Sequence, residues 1–522
     1  MRGGNGSSKF IELLVFLLIL LAASGCVETP DSGNESSPVN ESATYWPTEG
    51  WRTSTPEQQG GMDSEELVGA FDYIRKEDVN IHSLLIIRNG YVVTDAYFYP
   101  FSNGSVHDVA SVTKSFTGTL IGIAISEGYI VGVDQPVLDF FPNRTVANVD
   151  ANKKAMTLED LLTMRSGLEC VNEPYEVTTE QMEDSPDWIQ FALDLPMAEE
   201  PGIRFVYCSS NSHLLSGIIS ETTGMNESDY AQERLFEPLG ITEFIWPSDP
   251  QGNNRGWGDL HMTPHDMAKL GYLYLNNGGE WDGKQIVPAE WVSESTREQV
   301  SLEEDERYGY QWWVPDDNLP ERYDARGGRG TQLITVVPEE NLIVVTTGGG
   351  FNADETAPFL VAALKSDRPL PENPAAYGRL QEEINAAAEP PEPGPVRPLP
   401  ETAKEIEGKT YVLDSNPLDL QSLSLTFDEE KGEALFTVGV AENQTLEYLL
   451  GLDNVYRFSP GEYGLPVAGK GSWESDNVFV AYIDEVANIN HYKVTATYQD
   501  DQVTILVQDP TWFGGCRIWR EA

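Results

Sequence analysis

The sequence predicts an α/β protein in which an antiparallel sheet is flanked by helices and carries an inserted helical lobe. A C-terminal all-β barrel or sandwich domain follows it. Three observations predict this. Aliphatic strand patterns stand at both ends of the region reaching to about Ser366, and a largely helical block separates them. A proline-dense stretch, Glu389 to Pro400, then divides this region from one of short alternating strands.

Taken in order, Leu67, Val68, Phe71 and Ile74 fall at helical spacing behind Asp63, so the fold opens with a helix. Ser83 to Ile87 and Tyr91 to Tyr97 read as strands. The Asn89-Gly90 pair between them is a hairpin signal, because both residues tolerate positive φ. Phe116 to Ile125 is helix-periodic and stops at Gly128. Thr157-Leu158-Glu159-Asp160 has the spacing of a capping box. Further helices are expected over Asn211 to Thr223, ended by Gly224, and over Asp229 to Glu237, ended by Pro238. Another spans Pro264 to Leu275, with Thr263 as cap and proline at its first position. Strand character returns over Arg307 to Val314, Gln332 to Val337 and Leu342 to Thr347, and a helix follows from about Asp354 to Leu364. Beyond the proline stretch, strands are expected at Leu423 to Phe427, Ala434 to Val440, Val478 to Ile483, Tyr492 to Tyr498 and Gln502 to Val507.

This divides the chain into a leader (1–26), a disordered tether (27–50), a catalytic region (51–385), a linker (386–403) and a β-rich accessory domain (404–522). The leader has Lys9 before an apolar run, Leu13 to Ala23, and then Ser24-Gly25-Cys26. So short an apolar run with small residues after it reads as a secretory signal, and Cys26 stands where a lipidated cysteine would. The expected location is therefore the cell surface, held to the outer face of the cytoplasmic membrane by a lipid or signal anchor. Membrane contact is expected through that anchor alone. Asn-x-Ser/Thr sequons at Asn34, Asn40, Asn103, Asn143, Asn226 and Asn443 agree with export.

Charge excludes some partners. With 33 Lys and Arg against 84 Asp and Glu, the net charge is −51. Such a surface repels nucleic acid and anionic membrane. Cys170, Cys208 and Cys516 remain beside Cys26. In an exported protein Cys170 and Cys208 could form a disulfide, and two buried thiols are an equal alternative. No Cys-x-x-Cys or His-Glu-x-x-His occurs and the six histidines are scattered, so neither a metal nor a cofactor is expected.

The chemistry starts from Val106 to Gly118, VHDVASVTKSFTG. Ser111 and Lys114 stand three apart, so a helix beginning there puts the amine beside the hydroxyl, near the positive helix N-terminus. That arrangement can activate a serine without histidine. Two further stretches join it, FVYCSSNSHLLSG around Tyr207 and GGRGTQLITVVPEENLIVV around Arg329. With DLLTMRSGL, HMTPHDMAKLGYLYLNNG and YGYQWWV in order between about Trp51 and Ser366, the chain resembles the serine β-lactamase and penicillin-binding-protein superfamily. The likeness is to its class C, esterase and 6-aminohexanoate-dimer-hydrolase-like branch.

The resemblance implies that Ser111 is the acylated nucleophile, Lys114 its activating partner and Tyr207 the residue that shares proton transfer with the lysine. It places Arg329 near the third-motif Lys or His, on the strand edging the site. The oxyanion donors it implies are the amides of Ser111 and Gln332. Ser209 stands where the second motif usually has asparagine, and Arg329 and Thr331 depart from the third motif. A serine lacks the paired donor and acceptor of an amide. Arg329 could grip a substrate carboxylate or pair with an acid at the rim.

Other residues have plainer readings. His107 and Asp108 are expected to be structural, since no Gly-x-Ser-x-Gly elbow surrounds Ser111. His261 and His265 lack a third metal ligand, and Trp312 and Trp313 should divide between core and cleft wall. The expected function is an exported serine hydrolase of small ester, amide or peptide substrates through an acyl-Ser111 intermediate. The alternatives are D-alanyl-D-alanine carboxypeptidase or β-lactamase activity, and a non-enzymatic surface ligand-binding protein.

Overall fold

The computed structural model of the chain describes residues 45–171, 176–302, 306–316, 319–416, 418–440, 444–509, 511 and 517–521. The leader, Cys26 and Cys516 lie outside them. In chain order the main elements of the first region are α1 (Ser64–Lys76), β1 (Ile81–Arg88), β2 (Tyr91–Tyr97), β3 (His107–Asp108), α2 (Thr113–Ser126), α3 (Ser209–Thr223), β4 (His261–Met262) and α4 (Pro264–Leu275). They are followed by β5 (Tyr323–Gly327), β6 (Gln332–Val337), β7 (Leu342–Gly348) and α5 (Pro374–Ala388). The sheet order is β2-β1-β7-β6-β5, antiparallel throughout, with strands from both ends of the region side by side.

Each sheet face is buried, which is why β1 and β7 read as unbroken aliphatic runs. Leu84, Ile86, Leu342 and Val344 point to one face, where they meet Leu67, Phe71 and Ile74 of α1 and Leu380 of α5. Leu85, Ile87, Ile343 and Val345 point to the other, into the larger core with α2, α3 and α4. The period of two thus splits each strand between two cores.

The local signals act as their chemistry requires. The Asp63 side chain caps α1, Thr157 and Asp160 make a reciprocal capping box, and Thr263 caps α4 with Pro264 at its first position. Asn89 and Gly90 form the tight turn, with φ of 52° and 73°. The helix over 229–237 differs from expectation. It runs through a wide turn, Gln232–Phe236, into Glu237–Leu239, with Pro238 inside it, and stops at Gly240. Pro238 is tolerated there because it lies at the start of its own short turn.

The strand expected over Arg307–Val314 is corrected more strongly. Only Arg307–Tyr308 pairs as strand. The next residues spend their amides elsewhere: Tyr310 N–H bonds Ser295 O, and Gln311 N–H bonds Leu162 O. Gln311 has φ of 63°. Residues 27–44 of the expected tether lie outside the described residues; among the rest, Trp46 stacks on Trp281 at 4.9 Å and Thr48 Oγ1 accepts from the Trp281 indole at 2.7 Å, so this end packs on the fold.

After α5 the chain runs without helix or strand from Glu389 to Pro400 and enters the β-rich region. Its strands join one ten-stranded sheet. Residues from strands near both ends of that sheet, including Leu423, Phe436, Phe479 and Val507, share a single core. One sheet wrapped round one core is a barrel-like form, which decides between the two architectures expected.

Candidate active site

The site is built on a strained turn. β3 ends at Asp108, and Ala110 takes φ of 47°, a conformation that β-carbon-bearing residues seldom adopt. It persists because the groups around it over-determine it. Asp108 Oδ1 accepts from the Ala110 amide at 2.7 Å, and Ala110 O accepts from the Thr113 hydroxyl at 2.6 Å. The single helical turn Ala110–Val112 then delivers Ser111, half-buried, at the entrance to α2.

Lys114, one turn on, is almost fully buried. Its Nζ donates to Ser111 Oγ at 2.9 Å, to Ser209 Oγ at 3.2 Å and to Trp257 O at 2.8 Å. Burial lowers its pKa to about 8, against the pull of the Glu176 and Asp259 carboxylates, which favour the charged form. Tyr207, just before α3, hydrogen-bonds Ser111, and its ring lies 4.8 Å from Lys114 Nζ. Burial first, and then the Glu176 charge, push the phenol well above its ordinary value, so it stays protonated near neutrality. Ser111, Lys114, Tyr207 and Ser209 therefore meet at one point, from α2 and from the N-terminal end of α3.

Two sequence-expected residues stand elsewhere. Arg329 lies in the turn between β5 and β6, where its guanidinium donates to Asp108 and reaches Asp259 at 3.4 Å. Burial opposes its charge, but those two carboxylates outweigh burial and hold its pKa up. Of the two readings open for Arg329, pairing with acids is the one seen. Gln332 is fully buried on β6. Its side chain donates to Gly348 O at 2.7 Å and accepts from Gly348 N at 3.0 Å. The edge strand is β5, one strand further out. A β-carbon at its Gly327 would stand 2.6 Å from Val109 O, so only glycine allows this strand to approach the serine-bearing turn so closely.

One residue was not anticipated. Glu176 accepts from Ser209 Oγ and, at 2.9 Å, from Thr179 Oγ1. It brings a carboxylate to the Lys114–Tyr207 pair. Cys170 and Cys208 are disulfide-bonded, tying the segment before Glu176 to the residue after Tyr207. The aromatic wall continues from Tyr207 to Trp313, 6.0 Å away and nearly parallel, and then to the Arg326 guanidinium, 5.4 Å from the Trp313 ring. Trp312 is fully buried against Tyr274, so the two tryptophans do divide between core and wall.

The histidines have partners of their own. His107 Nδ1 donates to Asp108 O at 2.7 Å, so its Nε2 accepts from His82 Nδ1 at 2.9 Å. Burial lowers His82 well below its ordinary value and His107 to about 4, so both are neutral, as that chain of bonds requires. His265 Nε2 lies 3.2 Å from Asp95, and His261 Nε2 lies 2.7 Å from Asn488 of the barrel.

Residues 68–364 match the family model described as Beta-lactamase. The 6-aminohexanoate-dimer hydrolase of Paenarthrobacter ureafaciens is 26% identical over 292 residues, 52% of this chain and 73% of that protein. Penicillin-binding protein 4 of Amycolatopsis lactamdurans is 24% identical over 285 residues, 47% of this chain and 73% of its own. Among solved structures, the octameric penicillin-binding protein homologue from Pyrococcus abyssi superposes with a TM-score of 0.47 at 18% identity, over 87% of this chain and 99% of that one.

Proposed function

The chain belongs to the beta-lactamase family of serine hydrolases, and we propose that it cleaves small neutral or amino-bearing esters and amides through an acyl-Ser111 intermediate. The observation that carries this reading is the 2.9 Å bond from Lys114 Nζ to Ser111 Oγ, made by a lysine that burial has brought to about 8. At that value a useful fraction of the amine is neutral and can take a proton near physiological pH. Tyr207 is a poorer base, because its phenol is held protonated, and it serves as the donor on the leaving-group side.

The steps balance as follows. Ser111 Oγ attacks the carbonyl carbon and its proton passes to Lys114 Nζ. The bond to the leaving alcohol or amine breaks as that proton moves through Tyr207 to the departing atom. Water then attacks the acyl carbon and gives a proton to Lys114 Nζ, which passes it to Ser111 Oγ as the acyl–Oγ bond breaks and the carboxylic acid leaves. The amide of Ser111 and the edge of β5 are the oxyanion donors in this reading, in place of Gln332.

The substrate preference rests on charge. Glu176 and Asp259 act on Lys114 from close by, and Arg329, which could have gripped a carboxylate, is paired with acids instead. An anionic β-lactam or a free peptide carboxylate would meet acids, whereas an ammonium group would be welcomed. One relative is by name a hydrolase of the 6-aminohexanoate dimer, which supports small amides as substrates. In this reading the protein is exported, which the Cys170–Cys208 disulfide supports, and is anchored near Cys26.

The test is a panel of neutral, amino-bearing and carboxylate-bearing esters and amides, with a penicillin, run on wild type and Ser111→Ala. The expected outcome is turnover of the neutral and amino-bearing members, poor turnover of the anionic ones, and none by the variant. Equal turnover by Ser111→Ala would overturn the nucleophile, and preference for the penicillin would overturn the substrate class.

A further inference from the structure

The barrel does not merely follow the catalytic region. Its strands Val478–Glu485 and His491–Gln499 are joined by a hairpin tip of unusual character. Loop tips between strands are ordinarily polar and exposed. This one contains Val486, Ala487 and Ile489, exposed by 2%, 1% and 0%. What buries it is the floor of the site just described.

Four contacts define the seat. The Asp108 amide donates to Ala487 O at 2.7 Å, so the tip continues the hydrogen bonding of β3. Asn488 Oδ1 lies 2.7 Å from His261 Nε2 on β4, the strand that pairs with β3, Asp108 opposite His261. Ile489 sits against the turn carrying Arg329, where a β-carbon at Gly330 would stand 2.4 Å from its Cγ2. Val486 packs with Phe101, beside the His82–His107 pair. Three of the segments that the tip touches, β3, β4 and the turn carrying Arg329, converge on Asp108. Its carboxylate holds the Ala110 amide and pairs with Arg329, and Ala110 carries the positive φ that presents Ser111.

We propose that the barrel hairpin 485–490 is a positioning element of the catalytic site, which fixes the Asp108–Arg329 pair and through it the strained Ala110–Ser111 turn. It rests on the reading of Ser111 as nucleophile. A turn held at an unfavourable φ relaxes unless its surroundings over-determine it. Here part of that determination comes from a region some 370 residues further along the chain. Asn488 and Ile489 are positioning residues in this sense, as they act on Ser111 through Asp108 and Arg329.

The experiment uses the full chain and measures the rate at which a fluorophosphonate acylates Ser111, together with kcat and KM on an ester that wild type turns over. Asn488→Ala and Ile489→Ala are compared with Leu425→Ala, a barrel-core change away from the hairpin. The proposal expects labelling and kcat to fall by about 10- to 100-fold in both hairpin variants with KM nearly unchanged, since small displacements of a reacting group cost rates of that order. Leu425→Ala should label at the wild-type rate while folded. Asn488→Asp, which keeps the oxygen, should recover most of the loss. Amide exchange at Asp108 and Ala110 should quicken in the hairpin variants, and Ile489→Val offers a milder change if Ile489→Ala does not fold. Wild-type labelling rates in the hairpin variants, or an equal loss in Leu425→Ala, would overturn the positioning role. A wild type that fails to label would instead overturn the reading of Ser111 on which it rests.

Discussion

Lys114 carries three hydrogen bonds, to Ser111, Ser209 and Trp257, inside a site that is otherwise expensive for a cation. Burial drives its proton off and two carboxylates draw it back, which leaves the pKa at about 8. If neutral Lys114 is the base, acylation rises as pH passes through about 8 and levels off above it. Glu176 favours the protonated amine, so Glu176→Gln should move that rise to lower pH. Lys114→Met should cost about 10²–10⁴ in rate, the usual worth of a placed base. A pH series of the acylation rate checks both, and a rise moved to higher pH in Glu176→Gln would contradict the assignment. At this scale the sequence was informative for Ser111, Lys114, Tyr207 and Ser209, because their motifs have fixed spacing. Glu176 was not legible: it is one of 84 acidic residues, and nothing near it repeats a pattern. Arg329 was legible as a charge near the site, with pairing to an acid as one of its two readings; the identity of its partners was not, because Asp108 and Asp259 approach it only in the folded chain.

Among the elements, α2 shows packing overruling propensity. Gly118 and Gly122 lie four apart on one face, and alanine would favour the helix by about 1 kcal/mol at each. A β-carbon on Gly122 would stand 2.4 Å from the Trp291 ring, whose other neighbour is Tyr310 at 5.4 Å. Gly122→Ala is therefore expected to destabilise by about 1–3 kcal/mol, as overpacked cores do. A shift of the urea midpoint to lower concentration checks it, and a shift to higher concentration would contradict the packing. Helices and long aliphatic strands were legible because their periods are regular and their caps are local chemistry. The edge strand β5 was missed because Tyr323-Asp324-Ala325-Arg326-Gly327 carries two charges in five residues. Those charges are spent on each other and on Glu306, so a polar segment can line the site. Arg307–Val314 failed the opposite way, as an aromatic run whose middle amides, at Tyr310 and Gln311, go to the ends of two helices.

At the scale of the molecule, the site is assembled from distant parts of the chain. The sheet brings strands from both ends of the first region together, the segments at the starts of α2 and α3 carry the groups proposed to react, and the barrel seats its apolar hairpin against the turn that holds Ser111. The net charge of −51 surrounds this without entering it as a ligand site, except where Glu176 and Asp259 face Lys114. Fold class was legible from the order of patterns, and the proline stretch marked where the texture changes. The barrel's part in the site was not, since a buried loop tip reads locally as any short apolar turn. The central claim is that all of this serves one nucleophile. The direct measurement is the intact mass of the full chain after incubation with a fluorophosphonate, followed by peptide mapping. The account predicts a single adduct on Ser111 in wild type and none in Ser111→Ala. An adduct on another residue, or equal labelling of the two proteins, would contradict it.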